Sequence, residues 1–331
     1  MKIMVTGSTG YIGQKLTIRL LNEGHEVHAL CRNIPEEEWC NHERIKFFKG
    51  NLNDMGSIKK AMEGCDEIYH VAAQVKVWAK DPNSFYKVNV EGTRNIMEAA
   101  LEMKIPKVVY TSTTATYGPQ PGASVKENSE RQFDFFNDYE KTKFVAEENI
   151  RNYHNKGLHV VLVHPARVYG PGLWTKSNAL SYMIKAYVTG NWHIIPCNGQ
   201  ALSSLSFIDD VIDGHISAMH EGISGESYIL GGENISLKTF FNLLRSVSKK
   251  NYFLINIPYP LLKIFGWEEE LMAKWFGKDP LITSQWIKKY QFDMPCTSKK
   301  AIQELGYKIT PLKEGLAKTL KWLYHEQNIY F

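Results

Sequence analysis

A short apolar strand that runs straight into three regularly spaced glycines constrains this chain more than any other feature. Residues 3–5 are an apolar run of strand length, and Gly7, Gly10 and Gly13 follow at intervals of three residues. Residues 14–21 then have the apolar periodicity of a helix. A strand, a glycine turn and a helix in this order bring backbone N–H groups and a positive helix N-terminus against a pyrophosphate, where a Cβ would collide with the ligand. The opening of the chain therefore predicts a dinucleotide site.

Composition excludes several other classes of protein. The 331 residues are 44% hydrophobic and 22% charged, which is typical of a globular protein with a sizeable core. The net charge of +4 comes without a dense Lys or Arg run, so no nucleic-acid partner is expected. Five scattered cysteines lack the spacing of a zinc site, and they predict reduced thiols and no metal. No signal peptide or membrane span is visible, so a cytoplasmic location is expected, and the apolar residues 259–267 predict a buried helix or a substrate lid.

Further strand-like and helix-like segments alternate along the chain and predict an α/β fold. We expect a Rossmann-type doubly wound parallel sheet with a small, mostly C-terminal substrate-binding lobe. The predicted strands are residues 3–5, 26–30, 45–49, 67–73, 108–113, 159–163 and 228–232. Residues 1–172, completed by 203–233, are assigned to the cofactor domain, and residues 173–202 and 234–331 to the lobe. Asp209 and Asp210 are expected to cap a helix over 211–219.

The end of the second strand indicates which dinucleotide binds. At this edge an acidic residue would bond the ribose 2′-hydroxyl of NAD, whereas an Arg would pair with the 2′-phosphate of NADP. Arg32 lies here, about 20 residues after the glycines, and no acidic residue accompanies it. Because a guanidinium suits bidentate phosphate binding, the sequence favours NADP(H).

The fourth predicted strand ends in small residues and leads into a polar loop. Ala72 and Ala73 would let a cofactor lie against the backbone, and Lys76 and Trp78 follow at the edge where open α/β sheets bind ligands. We therefore treat Lys76 and Trp78 as candidate substrate contacts. His70 has neither a carboxylate partner nor metal spacing, which favours a structural role.

The catalytic candidates are a Tyr and a Lys on one helix face. Tyr139 and Lys143 are four residues apart on a predicted helix, so their side chains point the same way. A phenol normally titrates near pH ~10, and a nearby ammonium stabilises the phenolate and lowers that pKa. Tyr139 is thereby predicted to serve as a general acid, close to a fifth strand that ends in hydroxyl groups.

Together these motifs resemble the extended branch of the short-chain dehydrogenase/reductase superfamily, which includes the NAD-dependent epimerases and dehydratases. The spacing of the glycines, the Tyr–Lys pair and the segment 165–172 carry a resemblance that spans essentially the whole chain. Residues 72–78 and 86–93 look most like bacterial dihydroflavonol 4-reductase-like proteins. The sequence departs from the family at Asn51, where an Asp is usual, although the Asn side-chain carbonyl can still bond an adenine amino group.

The resemblance implies a role for each site residue. Tyr139 protonates the substrate oxygen, Lys143 lowers the pKa of Tyr139 and holds the ribose, and Thr113 bonds the carbonyl, with Ser112 as the alternative hydroxyl. Asn89 has a supporting role in a distorted helix. The implied substrate contacts are Lys76, Trp78, Thr113 and Trp174. The implied cofactor contacts are Gly7, Thr9, Gly10, Tyr11, Ile12, Gly13, Arg32, Asn51, Leu52, Ala72, Ala73, Gln74, Thr111, Tyr139, Lys143, Pro165 and Val168.

The activity that the resemblance implies is hydride transfer from NADPH to a ketone or aldehyde of an apolar, aromatic or acyl small molecule. A nucleotide-sugar epimerase or dehydratase is the first alternative, but Thr113 lacks the following Asp-Glu of dehydratases, and Leu205-Ser206-Phe207 lacks the Arg that neutralises a diphosphate. Oxidation of a 3β-hydroxysteroid also suits the apolar lobe. A non-catalytic NADP sensor is a remote alternative, because such sensors usually lack the Tyr–Lys pair. A homodimer through helices 86–102 and 139–152 stays open, as does substrate identity.

Overall fold

A sheet of seven parallel strands forms the centre of the protein. The computed structural model describes residues 1–173, 178–277 and 279–326. The strand order is β10-β6-β5-β4-β1-β2-β3, and this order reverses between β1 and β4. This is the doubly wound Rossmann-type order, so the predicted fold class is confirmed. The strands are β1 (Lys2–Thr6), β2 (Glu26–Cys31), β3 (Ile45–Lys49), β4 (Glu67–His70), β5 (Lys107–Thr111), β6 (Val160–Pro165) and β10 (Ser227–Leu230).

The two faces of the sheet pack against separate sets of helices because side chains alternate along a strand. In β1, Ile3 and Val5 join one hydrophobic core, whereas Met4 between them joins the other. Both faces are therefore apolar, as a parallel sheet covered on each side requires. The helices are α1 (Tyr11–Asn22), α2 (Met55–Met62), α3 (Asn83–Tyr86), α4 (Gly92–Glu102), α5 (Asp138–Asn155), α6 (Ala179–Val188), α7 (Ile208–Glu221), α8 (Leu237–Ser248), α9 (Tyr259–Phe276), α10 (Ser284–Lys288), α11 (Lys299–Leu305) and α12 (Leu312–Glu326).

Two small sheets lie in the second half of the chain. One has the order β11-β9-β7 and the other pairs β12 with β8. The chain then returns, because Leu316, Leu320 and Leu323 of α12 join the same core as Ile3 of β1. The assignment of residues 173–202 and 234–331 to a substrate lobe stays a prediction. The strands of the small sheets are β7 (Arg167–Tyr169), β8 (Ile194–Pro196), β9 (Leu202–Phe207), β11 (Glu233–Ser236) and β12 (Ile255–Ile257).

The helix predicted over residues 86–102 is interrupted near its start. Residues Lys87–Glu91 form a π-helical turn between α3 and α4. Asn89 lies in that turn, where its Oδ1 accepts the N–H of Gln74 at 2.7 Å and its Nδ2 donates to the Gln74 carbonyl at 3.3 Å. The extra residue of the π turn thus directs an amide at the loop after β4, which is the helix distortion that the family resemblance implied.

The apolar segment near the C-terminus is a helix, but it is not buried. Of the α9 side chains only Leu262, Gly266 and Ala273 are buried, and Trp275 is 77% exposed. The buried residues of α9 include Gly266 because α9 contacts α10 closely there. A Cβ on Gly266 would lie 2.8 Å from the backbone nitrogen of Ser284. The first alternative, a buried helix, is therefore wrong, and the substrate lid stays a prediction. In the described ranges, no helix combines the length and the apolarity needed to cross a membrane.

The two aspartates of the return segment do not cap a helix. Helix α7 begins at Ile208, with Phe207 at the N-cap position and no capping side chain. Asp209 instead pairs with Lys15 at 2.6 Å, and Asp210 accepts the N–H and the hydroxyl of Thr310, each at 2.7 Å. The helix starts three residues earlier than predicted, so both carboxylates lie in its first turn, where the helix dipole favours them.

Candidate active site

The glycines of the turn lie where a side chain would collide with the protein's own backbone. Gly7 has φ +73°, and a Cβ there would lie 2.7 Å from the backbone nitrogen of Ala72. A Cβ on Gly13 would collide with the carbonyl oxygen of Gly7. Gly10 caps α1 without a side-chain hydrogen bond, and the buried Ser8 Oγ has no partner among the described residues. Free donors at a positive helix N-terminus fit a pyrophosphate, so the residues present fit the predicted dinucleotide.

Two side chains of the turn are used differently from what the sequence indicated. The Tyr11 hydroxyl donates to the Gly170 carbonyl at 2.9 Å, and burial raises the pKa of Tyr11. Tyr11 thus ties α1 to the loop after β7, and only its backbone remains for a cofactor. Thr9 is exposed, and Ile12 packs against the core beneath the turn.

The predicted 2′-phosphate site has one free cation and one carboxylate that sequence reasoning missed. Arg32 is exposed at the end of β2 and forms no ion pair or hydrogen bond with any described residue. Five residues further on, Glu37 accepts from Gln14 Nε2 at 2.5 Å and from Trp39 Nε1 at 2.7 Å. Because Gln14 belongs to α1, Glu37 lies beside the helix that starts at the glycine turn. A Glu in the loop after β2 was the only signal for it in the sequence.

The predicted adenine contacts follow β3. The Asn51 Oδ1 accepts the N–H of Asn53 at 2.9 Å, so an adenine amino group would have to use the second lone pair of that oxygen. Leu52 packs against Gly92 at the start of α4, and its carbonyl accepts from Asn95 Nδ2 at 2.9 Å.

The loop after β4 is held from two sides. Its first part is fixed by the Ala72 N–H, which donates to Thr6 Oγ1 at 3.2 Å, and Ala73 follows half-buried. Gln74 is held by Asn89 through its backbone and by Ser84 through its side chain, the latter at 2.7 Å. The backbone of this loop is therefore rigid at the carboxyl end of β4, next to the glycine turn.

The predicted substrate contacts other than Thr113 are Lys76, Trp78 and Trp174. Lys76 is exposed and Trp78 is half-buried in the loop after β4. Trp174 lies outside the described residues. Trp267 and Trp275, two aromatic residues of the predicted lobe, are exposed on α9.

Tyr139 and Lys143 both lie in the first two turns of α5. Asn137 caps this helix by accepting the Glu140 N–H at 2.9 Å, so the helix begins immediately before Tyr139. The Tyr139 hydroxyl faces the Thr113 side chain, which acts to lower the pKa of Tyr139. Lys143 is 1% exposed, and its Nζ donates to the Thr111 carbonyl at 2.7 Å. The structure thus brings Tyr139, Lys143, Thr113 and the end of β5 together.

The protonation of the pair differs from the expectation. Burial raises the pKa of Tyr139, and the Thr113 side chain offsets this only in part. The predicted lowering by Lys143 is absent because that ammonium is directed at the Thr111 carbonyl. Burial also lowers the pKa of Lys143 to about 7, against the attraction of the Glu147 carboxylate.

The two candidate hydroxyls are distinguished by a contact with Glu147, a residue that the sequence analysis did not consider. Ser112 is buried, and its Oγ donates to Oε1 of Glu147. Its hydroxyl is therefore turned away from Tyr139, and Thr113 is the hydroxyl that faces the phenol. Glu147 is four residues beyond Lys143, so helical spacing was the signal that could have found it.

The remaining predicted cofactor contacts lie at the ends of β5, β6 and β7. The Thr111 hydroxyl bonds His215 Nε2 at 2.9 Å, which leaves its carbonyl to hold Lys143. Pro165 ends β6 and is buried, and Val168 is half-buried in β7. Between them, the Ala166 N–H donates to the Leu230 carbonyl at 3.2 Å. These residues border the same sheet edge as the Tyr–Lys pair.

Chemistry at a carbonyl or alcohol group needs a hydride carrier and a proton donor at neighbouring strand ends, and the sheet offers a place for each. The fold and the site define an NAD(P)-dependent enzyme of the short-chain dehydrogenase/reductase type. The model of the NAD dependent epimerase/dehydratase family matches residues 3–231, and the chain belongs to this family.

Similar proteins have several activities. A protein of Synechocystis sp. that is provisionally named dihydroflavonol 4-reductase is 31% identical over 96% of this chain and 93% of its own. Sterol demethylase protein B of Methylococcus capsulatus is 28% identical over 97% of this chain and 98% of its own. The solved structure of UDP-glucose 4-epimerase from Thermotoga maritima superposes with a TM-score of 0.82 at 19% identity, covering 99% of this chain and 100% of that one. The last likeness concerns the fold alone.

Proposed function

We propose that the protein is an NADPH-dependent reductase that transfers a hydride to a ketone or aldehyde of an apolar, aromatic or acyl small molecule. The observation that carries this proposal is the placement of the Tyr139 and Thr113 side chains next to each other at the end of β5. A carbonyl oxygen placed between these two hydroxyls would accept a hydrogen bond from Thr113 and a proton from Tyr139. Bound NADPH supplies the hydride.

Other residues of the chain bind and orient the cofactor. The turn of Gly7, Gly10 and Gly13 receives the pyrophosphate, and the free guanidinium of Arg32 pairs with the 2′-phosphate. Lys143 holds the ribose of the bound cofactor beside Tyr139, with its ammonium directed at the Thr111 carbonyl. The predicted contacts at Leu52, Pro165 and the loop after β4 line the path between the phosphate contacts and the Tyr–Lys pair. Pairing of two copies through helices 86–102 and 139–152 stays a prediction.

The substrate class rests on weaker support than the reaction. The Synechocystis relative carries the name of a reductase of an aromatic ketone, and the Methylococcus relative carries a sterol name. A dihydroflavonol has aromatic rings and a sterol is largely apolar, so the two names support an aromatic or apolar substrate. Oxidation of a hydroxysteroid, the second alternative, would use the same Tyr139, Lys143 and Thr113 in the opposite direction.

One structural observation weighs against a nucleotide-sugar substrate. Sugar-nucleotide enzymes tend to carry an Arg just before the Phe of the return segment, and this chain has Ser206 before Phe207. Ser206 is fully buried, and its hydroxyl donates to the Leu230 carbonyl at 2.8 Å. This position in β9 therefore offers no cation for a diphosphate.

Calorimetric titration with NADPH, NADH and UDP-glucose tests the proposal. We expect NADPH to bind more tightly than NADH and UDP-glucose to give no heat. Arg32→Ala should weaken NADPH binding at least about tenfold, because it removes a charge-assisted phosphate contact, and leave NADH binding unchanged.

The matched variant is Glu37→Gln, which removes the carboxylate that lies beside α1 in the loop after β2. It should keep or increase the preference for NADPH. If NADH binds as tightly as NADPH to the wild type, and UDP-glucose gives binding heat, then the epimerase alternative replaces the reductase.

A further inference from the structure

The catalytic face of α5 continues one turn beyond the Tyr–Lys pair. Tyr139, Lys143 and Glu147 are spaced four residues apart, so they line one side of the helix. Lys143 is 1% exposed and Glu147 is 6% exposed, and both carry charge-bearing groups into the protein interior. Burying a charge is costly unless a partner compensates for it, so this arrangement requires an explanation.

Glu147 is held by contacts with Ser112 and His164. Its Oε1 accepts from the Ser112 hydroxyl at the end of β5 and lies 3.2 Å from His164 Nε2 in β6. The His164 Nδ1 has no hydrogen-bond partner in the described part of the chain. The contacts of Glu147 with Ser112 and His164 offset part of the cost of burying its carboxylate.

The other groups that face Lys143 carry no negative charge. On β5, the Thr111 carbonyl accepts from Nζ and the Tyr110 ring lies 4.0 Å below it. On β4, His70 is fully buried between two Thr hydroxyls, and burial, with the nearby Lys143 charge, lowers its pKa to about 3. Tyr117, which lies 3.5 Å from His164, has its pKa raised by burial. Among the described groups around Lys143, Glu147 is the one counter-charge.

We propose that Glu147 is a positioning residue of the active site, whose carboxylate keeps Lys143 in its charged form and turns the Ser112 hydroxyl away from the substrate. The inference rests on the proposed function, because it explains how the Tyr–Lys pair is kept ready for proton transfer. Glu147 acts through Lys143 and Ser112, and it does not touch the reacting atoms.

The protonation of the two buried groups supports this role. Burial acts to raise the pKa of Glu147, but His164, Ser112 and Lys143 outweigh it, so the pKa is lowered and the carboxylate stays charged. Burial lowers the pKa of Lys143 to about 7, while Glu147 opposes that shift. Without the carboxylate, Lys143 would therefore lose its proton at a lower pH.

The sign of the pH effect follows from the reaction. Reduction needs a phenol at Tyr139 and an ammonium at Lys143, so kcat/KM falls as the pH rises through the pKa of Lys143. Glu147→Gln keeps the shape and removes the charge. We expect it to move this fall to lower pH by about one unit, the size of shift that a nearby opposite charge produces.

The matched control is Glu148→Gln, the same substitution one residue further along α5, where the side chain is exposed beside Arg151. It should leave the pH profile unchanged. The second readout is the titration of Lys143, followed by NMR of 13Cε-labelled lysine in the free protein. This readout needs no substrate, so a protein with no reductase activity would refute the proposed function and still test the role of Glu147.

The expected result is an earlier Lys143 titration in Glu147→Gln and a wild-type titration in Glu148→Gln. An unchanged Lys143 titration in Glu147→Gln would overturn the proposal. If Glu147→Gln does not fold, the wild type gives the test, because the Lys143 resonance should then have a second inflection at acidic pH where Glu147 takes up a proton. The absence of that inflection would also overturn the proposal.

Discussion

At the scale of single residues, one hydroxyl is assigned by a contact that the sequence does not reveal. Tyr139 and Lys143 could be predicted because their spacing and chemistry lie within five consecutive residues. The choice between Ser112 and Thr113 could not, because it depends on Glu147, which meets Ser112 only after β5 and α5 have packed together. Likewise, Arg32 was visible as the end of a strand, but Glu37 became relevant only when its loop folded back onto α1.

This assignment predicts that the two adjacent hydroxyls differ in their effect on catalysis. Thr113→Ala should lower kcat/KM by about a hundredfold, because it removes a hydrogen-bond donor to the reacting oxygen. Ser112→Ala should leave kcat/KM within about threefold of the wild type, since Thr113 remains. Thr113→Ser is the control that restores the hydroxyl. Steady-state kinetics with a reducible ketone makes the comparison, and a larger loss in Ser112→Ala would reverse the assignment.

At the scale of elements, a buried ion cluster joins the catalytic helix to the C-terminal part of the chain. Glu140, next to Tyr139, is fully buried and pairs with Arg131 at 2.8 Å and with Lys289 at 2.6 Å. Lys289 belongs to the 3₁₀ turn Lys289–Gln291 after α10. The three residues are far apart in the sequence, so no local pattern could have indicated their contact. The helix breaks at Lys87–Glu91 and the exposure of α9 escaped prediction for the same reason, since both depend on what packs alongside.

The cluster predicts a large loss of stability when its anion is removed. Glu140→Gln leaves two cations buried without a carboxylate, and we expect the free energy of unfolding to fall by about 3–5 kcal/mol. The exposed Glu148→Gln should change it by less than about 0.5 kcal/mol. Urea unfolding followed by circular dichroism measures both variants. A loss below about 1 kcal/mol in Glu140→Gln would indicate that the cluster is not a stabilising link.

At the scale of the whole molecule, the sheet order explains why the site lies where it does. The glycine turn follows β1 and the hydroxyl groups follow β5, and β4 lies between them in the sheet. All three strands point the same way, so their carboxyl ends share one edge, next to the point between β4 and β1 where the strand order reverses. The sheet was predictable because parallel strands buried on both faces are continuous apolar runs. For the predicted substrate lobe, the sequence could not indicate which aromatic residues face inward, because their spacing follows no regular pattern.

The central claim is that Tyr139 gives a proton to a carbonyl oxygen while NADPH is consumed. The most direct test measures NADPH oxidation by the wild type and by Tyr139→Phe across a panel of aromatic and aliphatic ketones. We predict carbonyl-dependent NADPH oxidation by the wild type, a loss in kcat of at least about a hundredfold in Tyr139→Phe, and unchanged NADPH binding in that variant. Full activity in Tyr139→Phe, or conversion of a UDP-sugar by the wild type without net NADPH consumption, would contradict the account.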